Sequence, residues 1–378
     1  MANAGKNQSY ARFKNNELVL NLLRKKEYSA TELSKELGLS NAALSQIMSE
    51  LSEKKLVRQV PCGDRTTLGR RRNYFSLNGD YGIIVAVGFS DNEIHIAFAD
   101  FSGKLLLEER IRDRLNYDLT IVYETVLRIH ELYNKNFKTL PILSVNLSLP
   151  GKINNETMEV VLSAQLKKVV DEDKGKLLKI FNGHFDVPVR AFNDINLSLI
   201  AERDDEESYG KNLILMHIDA GVGGAFYFGN KIYGGDHGFA GEIGFMPVFF
   251  EGKKTILDSA VSFTSIAERL TERFHKDYGI DDLKELYFTD AEVRAEFLKT
   301  ASVAGHAVGE LAEILDVSYV VVSGGVTELD DEYKKQLTEA ANFGRGEVEI
   351  CFSCLKDACI KGAIITAVRQ EIIAAISK

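Results

Sequence analysis

Two stretches of this chain share one pattern, and that pattern limits the folds open to it. "GIIVAVGFSDNEIHIAFADFSGKLLLEERI" (82–111) reads as strand, turn, strand, turn, strand. Ile94, Ile96 and Phe98 alternate within it at the period of two that marks a strand. "NLILMHIDAGVGGAFYFGNKIY" (212–233) repeats the strand–turn–strand theme. Each stretch is followed by a helix and by a strand that ends at a turn, "ILSVNLSLPG" (142–151) and "YVVVSGGV" (319–326). A duplicated unit of this kind predicts two α/β lobes of related build. A single doubly wound sheet is the alternative.

Composition fits a chain of more than one globular domain. It has 378 residues, 45% of them hydrophobic and 27% charged, with only 5 Pro. No apolar run approaches the roughly 20 residues of a membrane span. The start, Met-Ala-Asn-Ala-Gly-Lys, lacks the apolar core of a signal peptide, so a cytoplasmic location is expected. Cys62, Cys351, Cys354 and Cys359 include no second pair at zinc-ligand spacing, and they read as free thiols.

The net charge of −9 is unevenly spread. Residues 1–80 carry 14 Lys and Arg against 8 Asp and Glu, a net +6. The remainder carries 32 against 47, a net −15. A polyanion partner is therefore expected for the amino-terminal segment alone, since the rest would repel DNA.

That segment has internal order. Leu18, Leu22 and Leu23 suggest a first amphipathic helix. "SATE" (29–32) is a capping box opening a second helix, which Gly38 ends. Ser40 is placed to cap a third, "NAALSQIMSELSEKK" (41–55). Leu44, Ile47, Met48 and Leu51 share one face of it. Asn41, Ala43, Ser45, Gln46 and Ser49 share the other, a small polar surface suited to base edges, where Gln and Asn pair with adenine. Two short strands follow, "LVRQV" (56–60) and "YFSL" (74–77). The loop between them carries Arg65, Arg70, Arg71 and Arg72, placed like a wing that lies along phosphates or enters a minor groove. The pattern is a winged helix-turn-helix, with Ser40 and the five outer-face residues joining the arginines as DNA contacts. A small helical bundle that does not touch DNA is the plainer reading.

At this point a family resemblance emerges. "LGLSNAALSQIMSELSEKKLV" followed by "LGRRRNYFSLN" resembles the winged helix of the repressors in the ROK family (repressor, open reading frame, kinase). "LSLPGKI" resembles the family's Pro-Gly turn, and "VPVRAFNDINLSLIAE" its Asn-Asp motif. "IDAGVGGAFYFGNKIYGGDHGFAGEIGFMPV" resembles the family signature; "YVVVSGGV" and "ACIKGAIITAV" resemble its closing strand and terminal helix. The resemblance implies an actin-like (ribonuclease H-like, duplicated βββαβα) two-lobed α/β domain behind a winged helix-turn-helix. It places the DNA-binding domain at 1–78 and the ROK domain at 79–378. Lobe 1 would span about 79–190 plus the C-terminal helix, and lobe 2 about 191–355. It implies a sugar-binding cleft and a homodimer or a dimer of dimers. Half-sites of a palindromic DNA operator would then lie about one helical turn apart, or a multiple of it.

The cleft residues divide by function. In the family's sugar kinases the first hairpin turn reads Asp-x-Gly-Gly-Thr-Lys and holds phosphate and magnesium. Here Gly88 stands for the Asp, Ser90 and Asp91 for the glycines, and Asn92 and Glu93 for Thr and Lys. A carboxylate beside a phosphate is repelled, so neither ATP nor kinase activity is expected and no catalytic residue is assigned. The second hairpin keeps Gly221, Gly223 and Gly224, which suit an anion or simply a tight turn. The resemblance carries sugar contact onto Asn193, Asp194, Glu242 and Asp258, with Gly151 and Lys152 as further contacts. Phe245 stands where the family has a zinc-linked His, and the following cysteine cluster is missing, so no metal is expected. Phe245 either stacks on a sugar face or plugs the vacated metal site. The expected function is a transcriptional repressor controlled by a sugar or sugar phosphate. A sugar kinase with an added DNA-binding domain and a regulator switched by a protein partner are the rivals.

Overall fold

A computed structural model of the chain describes residues 2–61, 73–90, 93–112, 118–154, 156–163, 165–205, 212–344 and 347–377. The chain folds into two compact units. One comprises Met1–Pro150, Leu162–Phe192 and Ala363–Lys378, and the other Gly151–Val161 and Asn193–Gly362. Residues 151–161, expected in the first lobe, thus fold with the second unit. No described helix is long and apolar enough to cross a membrane.

The first unit opens with α1 (Ala2–Lys25), β1 (Tyr28–Ser29), α2 (Ala30–Leu37), α3 (Asn41–Glu53), β2 (Val57–Val60) and β3 (Tyr74–Leu77). The capping box forms as the sequence implies. Glu32 N–H donates to Ser29 Oγ at 3.3 Å, and Ser29 N–H donates to Glu32 Oε2 at 2.8 Å. Gly38 ends α2 at φ +64°, where a Cβ is costly. The buried face of α1 differs from the expected one: Val19, Leu20 and Leu23 are buried, whereas Leu18 is 44% exposed and Leu22 half-buried. β1 was not foreseen; it pairs with β3, giving a three-stranded sheet in the order β1-β3-β2.

The rest of the first unit is built on a five-stranded sheet, and its strands are interleaved with helices. β4 (Ile83–Phe89), β5 (Glu93–Asp100) and β6 (Leu105–Arg112) are consecutive antiparallel strands. α4 (Leu119–Asn136) leads to β7 (Ile142–Leu149), which pairs parallel to β4. A short pair that folds with the second unit but for Leu162, β8 (Lys152–Ile153) and β9 (Val160–Leu162), precedes α5 (Lys167–Glu172), α6 (Lys176–His184) and β10 (Val189–Asn193). The sheet order is β10-β7-β4-β5-β6. β4 is buried along its whole length, as its continuous apolar run requires.

The second unit repeats the plan. After α7 (Asp194–Asp205) come β11 (Leu213–Ile218), β12 (Val222–Phe228) and β13 (Lys231–Ile232). β14 (Pro247–Phe250) and β15 (Lys253–Ile256) form a hairpin. α8 (Leu257–Val261), α9 (Phe263–Phe274), α10 (Leu283–Thr289) and α11 (Ala291–Leu315) precede β16 (Tyr319–Ser323). α12 (Asp331–Ala341) and β17 (Glu349–Phe352) follow, and the last helix, α13 (Ala358–Ser377), belongs to the first unit from Ala363 onward. The sheet order is β13-β12-β11-β16-β17, with β11 antiparallel to β12 and parallel to β16. The same sequence of pairings in both units is the structural form of the duplicated pattern. An aromatic core fixes the helical layer: Phe297 meets Phe263 and Tyr287 edge-on, with ring centroids 5.0 and 5.6 Å apart.

Candidate functional site

Two groups of side chains stand out, one in each unit. In the first unit, Ser40 accepts from Ala43 N–H at 3.2 Å, so its hydroxyl is committed to capping α3. Leu44, Ile47, Met48 and Leu51 are buried, and Asn41, Ala42, Ser45, Gln46 and Ser49 face outward. Ala43 is half-buried, and the neighbouring Ala42 is the more exposed of the two. Ser49 Oγ donates to Glu53 Oε1 at 3.3 Å. Glu50 at the edge of that face is held by Arg12 of α1, with Nε at 2.8 Å. Arg65, Arg70, Arg71 and Arg72 lie outside the described residues.

The residues assigned to sugar contact all fall in the second unit. β10 ends at Asn193 and α7 starts at Asp194. Asn193 is the helix cap: its Oδ1 accepts from Asn196 N–H at 2.8 Å. Its Nδ2 donates to Gly151 O at 3.0 Å and to Asp194 Oδ1 at 3.2 Å. The Asn193 amide thus joins α7 to the Pro150-Gly151 turn, which fixes where its side chain sits. Asp194 Oδ1 also accepts from Ile195 N–H at 2.9 Å.

Lys152 follows that turn and gathers three partners. Its Nζ lies 3.8 Å from Glu242 Oε2, 4.8 Å from the Phe245 ring centroid and 6.0 Å from that of Phe239. The loop that carries Glu242 and Phe245 is pressed onto β12 by glycine. Gly241 has φ +99°, and a Cβ there would sit 2.3 Å from Gly224 O. Asp258 on α8 tethers the same hairpin, accepting from Val222 N–H at 2.8 Å through Oδ1. That bond engages one of the two carboxylate oxygens. α8 is itself held by Arg269, which donates to Ser259 O and Ala260 O at 2.9 Å each and pairs with buried Glu296 at 2.7 Å.

Phe245 is 57% exposed, which removes the reading that it plugs a vacated metal site. A zinc ion does not fit these residues. Phe245 offers no lone pair where the ligand is required, and among the described residues no group of three His, Cys, Asp or Glu side chains is placed to hold a metal. Phe239 was missed by sequence reasoning; its only signal was its place three residues before Glu242.

Glu242 is half-buried, and burial raises its carboxyl above the ordinary value of 4.5, while the Lys152 ammonium pulls it part of the way back. A carboxyl raised by folding stabilises the fold below its unfolded value and loses that contribution as pH rises through the folded one. Glu242→Gln is therefore expected to raise the thermal unfolding midpoint at pH 7. It should also flatten the pH dependence from about 4.5 upward, as read by calorimetric melting across pH.

At the first hairpin, Ser90 N–H and Oγ both donate to Glu93 O, at 3.0 and 3.1 Å. The Glu93 carboxylate is held by Arg110 at 2.9 Å and Arg112 at 2.5 Å. Asp91 and Asn92 lie outside the described residues.

Comparison with known proteins agrees with this architecture. A xylose repressor of Caldicellulosiruptor bescii is 26% identical over 357 residues, covering 87% of each chain. The crystal structure of a ROK family transcriptional regulator, a homologue of the Escherichia coli Mlc protein, superposes with a TM-score of 0.78 at 17% identity, covering 97% of this chain and 98% of that one. A ROK family glucokinase from Streptomyces griseus, solved with glucose and AMPPNP, superposes with a TM-score of 0.60 at 18% identity. The match covers 75% of this chain and 99% of the glucokinase chain. The model of the ROK family matches residues 84–363, most of the chain and both sheets, and the protein belongs to that family.

Proposed function

We propose that this protein is a cytoplasmic, DNA-binding transcriptional repressor of carbohydrate genes whose operator affinity is set by a small sugar in the second unit. The observation that carries the reading is α3, a capped helix with an apolar inner face and a small polar outer face, backed by a three-stranded sheet. In this reading α2 and α3 form a helix-turn-helix, with β2, β3 and the arginine-bearing loop as its wing. Kinship with a repressor along most of both chains supports it. A homodimer would present two such helices to a palindromic operator.

The second unit is read as the sensor. Asp194 and Glu242 supply acceptors for sugar hydroxyls, Lys152 a donor, and the exposed Phe245 ring an apolar face for C–H groups. Three carboxylates, Asp194, Glu242 and Asp258, against one ammonium suit an uncharged polyhydroxy ligand better than a phosphorylated one. The sugar must bind the DNA-incompetent state more tightly, because equal affinity for both states shifts nothing. The test is selection of binding sequences from random DNA by the full chain. Fluorescence anisotropy with pentoses, hexoses and their phosphates follows. Salt-dependent binding to a two-fold site, relieved by one sugar, is expected. Binding with no sequence preference would overturn the reading.

Catalysis is not part of this proposal. The turn of the first hairpin presents Glu93, clamped by two arginines, where a kinase needs glycine amides and a lysine. Incubation with ATP, magnesium and a broad sugar panel is expected to give no phosphorylated product above a no-protein control. Turnover that disappears in Asp194→Ala would instead establish a kinase.

A further inference from the structure

The second hairpin keeps the glycines of an anion cradle, yet the Ala220 and Val222 N–H groups at its turn already bind carboxylates. β11 runs parallel to β16 as far as the pair His217 and Ser323, so the turns that follow, Asp219–Gly221 and Ser323–Gly325, leave the sheet side by side. Turns at the carboxyl ends of parallel strands are where α/β sheets receive ligands. An anion seated there needs main-chain N–H groups from one turn or both. Asp219 Oδ1 accepts from Ala220 N–H at 3.0 Å, and Oδ2 accepts from Gly325 N–H at 2.8 Å. Val222 N–H goes to Asp258.

The glycines have other uses. A Cβ on Gly223 would lie 3.2 Å from Ile195, and one on Gly224 would lie 2.8 Å from Ile243. One on Gly324, at φ +92°, would lie 2.3 Å from Ile218 O, and one on Gly325 would lie 2.7 Å from the Phe263 ring. They serve close packing within the unit. The turn is also fixed from outside: Phe263 N–H donates to Asp219 O at 2.8 Å, and Thr264 Oγ1 donates to Ala220 O at 2.6 Å.

We propose that Asp219 is a built-in anion: its carboxylate bridges the two turns in the place of a phosphate and closes this hairpin to phosphorylated ligands. Asp219 is then a specificity-determining residue. A phosphate approaching these donors has to displace one carboxylate and lie beside a second, Asp258, and both contacts repel it. The Asp219 carboxylate itself holds the two turns together. The proposal concerns only which anions the second unit admits, so it stands or falls independently of DNA binding.

The test is calorimetric titration of the full chain with inorganic pyrophosphate. The wild type is expected to show no saturable binding at millimolar concentration. D219G frees both N–H groups and should gain saturable binding, tighter than the wild type by at least tenfold; D219N, which keeps one acceptor and loses the charge, should gain less. Each variant is checked by thermal melting, and D219N decides if D219G does not fold. Saturable pyrophosphate binding by the wild type overturns the proposal. So does a folded D219N with no gain over the wild type.

Discussion

Asp194→Ala is expected to abolish the response to sugar and to leave operator affinity unchanged. The structure sharpens the reason. The residue that caps α7 is Asn193, whose Oδ1 takes Asn196 N–H, so the helix start does not depend on the Asp194 side chain alone. Asp194 lies in the second unit, whereas α3 lies in the first, and a carboxylate adds nothing to DNA binding. Hydrogen bonds to a charged acceptor are worth roughly 1.5–3 kcal/mol each, so losing two weakens effector binding by about 10²-fold or more. Glu242→Ala should behave alike. Asp258→Ala should have a smaller effect on the sugar and a visible one on stability, because it releases Val222 N–H. Asn193→Ala is the contrast: loss of the cap should cost about 1 kcal/mol of stability. The phenotype expected in cells for Asp194→Ala is a target gene held off whatever sugar is supplied. The measurement is operator affinity of the variant with and without the identified sugar. Release at the wild-type sugar concentration would show that this site is not the sensor and would favour a protein partner. A folded variant that fails to bind operator would show that Asp194 acts on the scaffold.

The legible parts of this molecule are those written in local chemistry. Ser29, Glu32, Gly38 and Ser40 set helix ends through bonds within four residues, and each acts as its type and spacing imply. The duplicated hairpins could be read because the order strand, turn, strand, then helix and a strand ending at a turn, recurs in both halves. What escaped depended on neighbours distant in sequence. The inner face of α1 turns on packing against β3 and the other helices, so Leu18 was misread and Val19 and Leu20 were passed over. β1 is two residues long and exists only because β3 pairs with it. At the site, residue type alone did not tell which polar atoms also hold the scaffold: Asn193 and Asp258 match the sugar-contact pattern and bond as well to Gly151, Asn196 and Val222. Asp219 carried no local signal, since its partner Gly325 lies far along the chain.

Replacing Arg70 and Arg71 together by Ala is expected to weaken DNA binding for every sequence tested and to lower its salt dependence. The argument rests on charge and position in the chain. The amino-terminal 80 residues carry a net +6 on a chain of −9, and four of their arginines fall between β2 and β3. Each phosphate neutralised by a cation releases condensed counterions, so log K falls with log salt by about 0.9 per contact, and two lost contacts reduce that slope by about 1.8. If one arginine enters a narrow minor groove, the variant also loses preference for A·T at that point. Gln46→Ala should do the reverse. Gln46 is exposed on the outer face of α3; as the proposed base contact, its loss should relax one position of the operator by about 1–3 kcal/mol with the salt slope unchanged. Anisotropy titrations of the wild type and both variants, at several salt concentrations and on the operator and a scrambled duplex, separate the two effects. An Arg70→Ala/Arg71→Ala protein with wild-type affinity and slope would exclude this loop from the DNA interface. A Gln46→Ala protein that loses affinity equally on both duplexes would place α3 on the phosphates and not in the major groove.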